Sequence, residues 1–205
     1  MLYGIFRIIF WGIIFVILFF SLIKKSKMVR KKFLTALTLT LCMILSAISS
    51  LFPVENLFFD FHSPGRVLNY YQKGKVEDVL NGNDSSMIIY SERNSLASHF
   101  IVPKSEKGYK IPSLFSVKKV SHKFDKDGQF EVYNVMGTND YYVVGTIILE
   151  ESEINIIDSN SQLIKNIIIE MGNADTKTVV LFSFVENFTS EYYLLINGEK
   201  ILVSN

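Results

Sequence analysis

Three histidines, His62, His99 and His122, are the residues of this 205-residue chain best suited to move a proton near neutral pH or to ligate a transition metal. Two of them would have to stand close together, as in His-x-His or His-Glu-x-x-His, for one element to aim both imidazoles at a single point. No such pair occurs, so each is expected at the surface or at a boundary, His122 on a strand face among apolar neighbours. Asp125-Lys126-Asp127-Gly128 offers two carboxylates and a glycine. An EF-hand loop, however, needs its glycine sixth and a bidentate Glu twelfth, so this string reads as a turn. Glu150, Glu151 and Glu153 would suit a glycosidase pair, but adjacent residues on a strand point to opposite faces, and a solvated strand end is the expectation. The single cysteine, Cys42, follows Leu39-Thr40-Leu41 in faint imitation of a lipoprotein cleavage box; Leu41 stands where a small residue is required, which argues against lipidation. The chain has no Gly-x-Ser-x-Gly elbow, phosphate-cradling glycine loop, dinucleotide fingerprint or Cys-His arrangement. The sequence therefore assigns no catalytic residue, no metal ligand and no cofactor, leaving only a site assembled from distant residues as a route to catalysis.

The elements that would carry such a site follow an N-terminus of a different kind. Two apolar segments, 1–23 and 33–53, flank a string that contains Lys24, Lys25, Lys27, Arg30, Lys31 and Lys32 and no acid. The second segment extends uncharged to Val54, and its 22 residues would make a helix of roughly 33 Å, enough for a hydrocarbon core of about 30 Å. The first carries one charge, Arg7, near enough to its end to snorkel to the headgroups. A transmembrane helical hairpin over 1–53 is expected, with the basic loop 24–32 on the cytoplasmic side and residues 54–205 outside. A rival reading takes Met28–Lys32 as the charged region of a signal peptide, Phe33–Leu45 as its apolar core and Ala47-Ile48-Ser49 as its cleavage site. Both readings export the remainder.

After Pro53 come 14 basic and 20 acidic residues, a net charge of −6, which disfavours nucleic acid as a partner. Lysines gather between Lys104 and Lys126, whereas 12 acids and three lysines lie from Asp127 onward. With Cys42 inside the second apolar segment, the exported part has no disulfide and depends on its core.

Ser63-Pro64-Gly65 opens a short helix by a cap residue and a proline in the first turn, and Gly74 is read as its end. A second brief helical turn is expected at Val76–Leu80. From Met87 the apolar period changes to two, and nine strands are read to the C-terminus. Lys126-Asp127-Gly128 suggests a three-residue hairpin that sets Phe124 opposite Phe130 and His122 opposite Val132; Asn197-Gly198 suggests a two-residue turn that aligns Leu194 with Ile201 and Tyr192 with Val203. The expected fold class is membrane-anchored α+β: the helical hairpin, then a mainly antiparallel β domain, sandwich or curled sheet, with one short N-terminal helix. The abundance of Ile, Lys, Asn, Phe and Tyr resembles the composition of small envelope proteins of low-GC Gram-positive bacteria. The functional expectation is a non-enzymatic extracytoplasmic binding or accessory module whose partners are the lipid bilayer and an envelope polymer or partner membrane protein. The alternatives are a membrane-tethered hydrolase of wall or glycan material and a subunit or immunity-type partner packed through the small residues Ser46, Ala47 and Ser50.

Overall fold

A computed structural model describes residues 2–23, 28–49, 51–92, 97–125, 128–149, 155–159, 164–170 and 177–204. Helix α1 (Leu2–Leu18) widens into a π-helical turn at Phe19–Ile23, and α2 (Met28–Ile48) follows. Both are long and apolar enough to cross a membrane by length and composition, over Tyr3–Ser21 and Arg30–Ile48, and the β domain covers little of either. Because α2 begins at Met28, Arg30, Lys31 and Lys32 occupy its first turns; Lys24, Lys25 and Lys27 lie outside the described residues.

A single 3₁₀ turn (Val54–Leu57) leads to α3 (Pro64–Tyr71), where Ser63 is the cap and Pro64 supplies its preset φ in the first turn. The helix stops at Tyr71, ahead of Gly74. That glycine is needed for another reason: a Cβ there would stand 2.5 Å from the Tyr90 ring.

The expected helical turn at Val76–Leu80 is instead strand β1 (Lys75–Asn81), paired antiparallel with β2 (Ser85–Ser91) across a bulge between Val76 and Asp78. The cause is tertiary. Strand β2 is buried on both faces, so its backbone groups need ladder partners on both sides, and pairing overrides the local pattern of Val76–Leu80. With β3 (Ser98–Ser105) and β4 (Gly108–Tyr109) these strands form a sheet in sequence order.

The second sheet joins β5 (Val117–Asp125), β6 (Gly128–Val135), β7 (Asp140–Leu149), β10 (Lys177–Glu186) and β9 (Lys165–Glu170), in that order, and curls into a half-barrel. Its inner side holds Phe130, Val132, Val143, Ile147 and Leu181 against the third sheet, β8 (Ile156–Asp158), β11 (Tyr193–Ile196) and β12 (Glu199–Leu202) in the order β12-β11-β8. Its outer side packs Tyr142, Val180 and Phe182 on Met87, Ile89 and Ile101 of the first sheet. The other face of that first sheet, Ile88, Tyr90 and Val102, is covered by Val67 and Leu68 of α3. Alternate residues of β2 thus serve two cores.

The turn at Asn197-Gly198 sits as the sequence predicts. Both residues have positive φ (50° and 88°), Leu194 pairs with Ile201, and the Val203 amide donates to the Tyr192 carbonyl. The β5–β6 hairpin differs by one residue from expectation: Asp125 pairs with Gly128, Phe124 with Gln129 and His122 with Glu131. Gly128 does not supply a left-handed turn. A Cβ on it would meet Ile147 Cγ2 and the Thr146 carbonyl of β7 at 2.6 Å, so close approach of a third strand explains the glycine. The one-residue slip moves Phe124 and His122 off the apolar face and into solvent.

Candidate functional site

Strands β3, β5 and β6 and the end of α3 enclose a groove of about 330 Å³ that includes Tyr71, His99, Phe100, Ser113 and Tyr133. His99 reaches it from β3, opposite Ile89, and its ring lies 4.9 Å, centroid to centroid, from that of Tyr133 on β6. Tyr71, the last residue of α3, stacks on Phe100 at 5.2 Å. Burial pushes the His99 imidazole below its ordinary value, Glu131 pulls it up and Lys119 pushes it further down.

Behind Tyr133 lies a polar chain. The Tyr133 hydroxyl donates to Glu131 Oε2, while Glu131 Oε1 accepts from Lys119 Nζ at 2.5 Å and from Gln129 Nε2 at 3.3 Å. Burial works against the charge on Glu131, but the bonds from Lys119 and Tyr133 win and hold its carboxyl below the usual range. Burial first, and the Glu131 carboxylate second, push the Tyr133 phenol well up. Glu131 is thereby fixed as an acceptor and Tyr133 as a donor. His122 stands outside this groove, on the exposed face of β5, 3.0 Å from Gln129 Nε2 and 3.9 Å from Glu131, beyond hydrogen-bonding distance of the carboxylate. The groove offers aromatic faces for stacking and an imidazole whose neutral form, favoured by burial, donates at one nitrogen and accepts at the other.

His62 is exposed and lies apart, just before α3. Glu150, Glu151 and Glu153, with Lys126 and Asp127, fall outside the described residues. Among the described residues no group of three His, Cys, Asp or Glu could hold a metal ion. Tyr141 and Tyr142, adjacent on β7, divide between its faces: Tyr142 packs on the outer core of the curled sheet and Tyr141 against the inner one. Of the lysines that gather between Lys104 and Lys126, Lys110 pairs with Asp60 at 2.9 Å, Lys104 donates to the Gly82 carbonyl at 2.6 Å and Lys123 to the Leu202 carbonyl at 2.8 Å.

Two polar clusters escape a reading of the sequence alone. Arg7 does not snorkel: it is 6% exposed, its Nε donates to Glu55 Oε1 at 3.2 Å, and its guanidinium lies 4.0 Å from the Tyr3 ring. Glu55 is fully buried, and Tyr70 beside it is pushed up to about 12, by burial and then by the Glu55 charge. A signal existed, since Arg7 is the one charge of the first apolar segment and Glu55 the first acid of the chain. The second cluster centres on buried Asp140, which accepts from the Asp84 amide at 2.8 Å and the Ser85 hydroxyl at 2.5 Å and so pins the β1–β2 turn onto β7. Ser85 has no histidine partner and is fully buried, so this cluster holds structure together.

No family model matches the chain, and neither a curated protein nor a solved structure matches it.

Proposed function

We propose that this protein is a membrane-anchored extracytoplasmic binding module, held by α1 and α2, whose groove around His99 and Tyr133 receives an envelope component or a segment of a partner membrane protein. The observation that carries this reading is the pair of apolar helices whose exposed sides are left uncovered by the described residues. The basic residues lie at the end of α2 remote from the β domain, as the positive-inside bias asks of a cytoplasmic side. At the other end Arg7 and Glu55 neutralise each other inside the protein, which removes the one charge that opposes insertion of α1.

A binding role is favoured over hydrolysis by the lining of the groove: a glycosidase sets two carboxyl groups about one bond, and among the described residues that line the groove none carries a carboxyl group.

The test is a cysteine at the exposed Glu186 in a Cys42→Ser chain, with a membrane-impermeant maleimide applied to intact cells. Labelling before lysis supports the reading, and labelling only after lysis overturns it.

A further inference from the structure

Exposed apolar side chains on the β domain are of two kinds. Val120, Phe124, Met136, Ile148 and Leu202 lie on or beside strands β5, β6, β7 and β12. Leu51, Phe52, Leu57, Phe58, Leu114 and Phe115 instead gather where the chain leaves α2. The Leu114 amide donates to the Leu51 carbonyl at 3.0 Å, and the Phe52 and Phe115 rings lie 5.7 Å apart, which brings the loop before β5 down beside the end of α2. On the opposite side Phe58 contacts Phe6 and Phe10 of α1 at 6.1 and 5.6 Å. Leu57 is 81% exposed and Leu114 64%, a poor arrangement for water.

Resting on the reading that α1 and α2 lie in lipid, we propose that these six side chains form a collar immersed in the membrane interface, so that the β domain sits on the bilayer. Helix length agrees with this depth: the apolar spans Tyr3–Ser21 and Arg30–Ile48, nineteen residues each or roughly 28 Å, fill a hydrocarbon core of about 30 Å, so the residues that follow Ile48 fall at the interface. Lys107, Lys110, Asp60 and Glu106 stand next to Leu57 and Phe58, a polar rim of two bases and two acids above the apolar collar.

The test uses the full chain in vesicles of phosphatidylcholine and phosphatidylglycerol, with and without bromine on the acyl chains. The protein has one tryptophan, Trp11, on α1, so quenching of the unaltered chain by bromolipid reports on the anchor alone. Leu57→Trp, Phe115→Trp and Phe124→Trp, each in a Trp11→Phe chain, report on the collar and on a control at the far end of β5. The expected result is loss of emission in bromolipid for Trp11, Leu57→Trp and Phe115→Trp, and for Phe124→Trp quenching only by aqueous acrylamide. If Trp11 is quenched while both collar variants respond to acrylamide alone, the collar is in water and the proposal fails with the anchor intact. If both collar variants are shielded from either quencher, protein covers them and the proposal fails. If Trp11 is not quenched, the anchor reading falls and the collar with it.

Discussion

Strand β2 and helix α1 are both strongly apolar, and the fold treats them in opposite ways. In β2 every residue from Ser85 to Tyr90 is buried, Met87 and Ile89 in one core, Ile88 and Tyr90 in another. Along α1, Ile8, Ile9, Ile13, Val16 and Ile17 are exposed, Ile8 at 75%. The strand spends its hydrophobic surface on this chain, whereas this face of the helix has no cover among the described residues. At about 25 cal/mol per Å² of apolar surface, leaving such a face in water is costly, and a different solvent is the simplest relief.

The sharpest way to break the comparison is at the joint between the two regions. Glu55→Leu leaves the Arg7 guanidinium buried without its carboxylate, and a loss of about 3 to 5 kcal/mol is expected in urea unfolding of the detergent-solubilised full chain. Arg7→Leu/Glu55→Leu should recover most of that loss, because the unpaired charge is gone. Next come the two apolar regions themselves. Ile88→Ala should cost about 2 to 5 kcal/mol through the cavity left between α3 and β2, while Ile13→Ala in α1 should stay within about 0.5 kcal/mol by the same measurement. Equal effects would mean that α1 is packed as a core helix. Overpacking gives a smaller effect: in Gly82→Ala the new methyl would stand 2.5 Å from Asp140 Oδ2 and 2.8 Å from the Phe184 ring, and about 1 to 3 kcal/mol is expected.

The pH dependence should be smaller still. Burial lowers the folded pKa of His99, so the unfolded chain takes up the proton first. The stability tied to neutral His99 is therefore present above the unfolded value of about 6.5 and is lost as pH falls below it. Glu131 is lowered as well, so its contribution is present above the ordinary carboxylate range and is lost only in more acid solution. Urea midpoints at about pH 7.5, 6.5 and 5.5 should fall in that order, and His99→Gln should flatten the decline; an unchanged decline would remove His99 as its source.

How much of this was legible depended on how local the cause was. Two apolar helices follow from run length, and the β11–β12 register follows from two residues, Asn197 and Gly198, whose own backbone angles make the turn. The β5–β6 register was not legible, because Gly128 answers to Ile147 on a strand that lies beyond the hairpin. Val76–Leu80 reads as helical because nothing near it in the sequence reports that β2 needs an edge partner. The groove joins Tyr71, His99 and Tyr133 from three separate elements, so no spacing in the sequence announces it. Arg7 and Glu55 are 48 positions apart, and only their rarity as charges in that stretch pointed to each other.

The central claim is that lipid covers the exposed faces of α1 and α2. Its most direct test is alkaline carbonate extraction of cell membranes followed by flotation, which strips peripheral proteins and leaves spanning ones. The account predicts that the full chain floats with the membrane fraction at high pH. Release of the chain into the soluble fraction would contradict it.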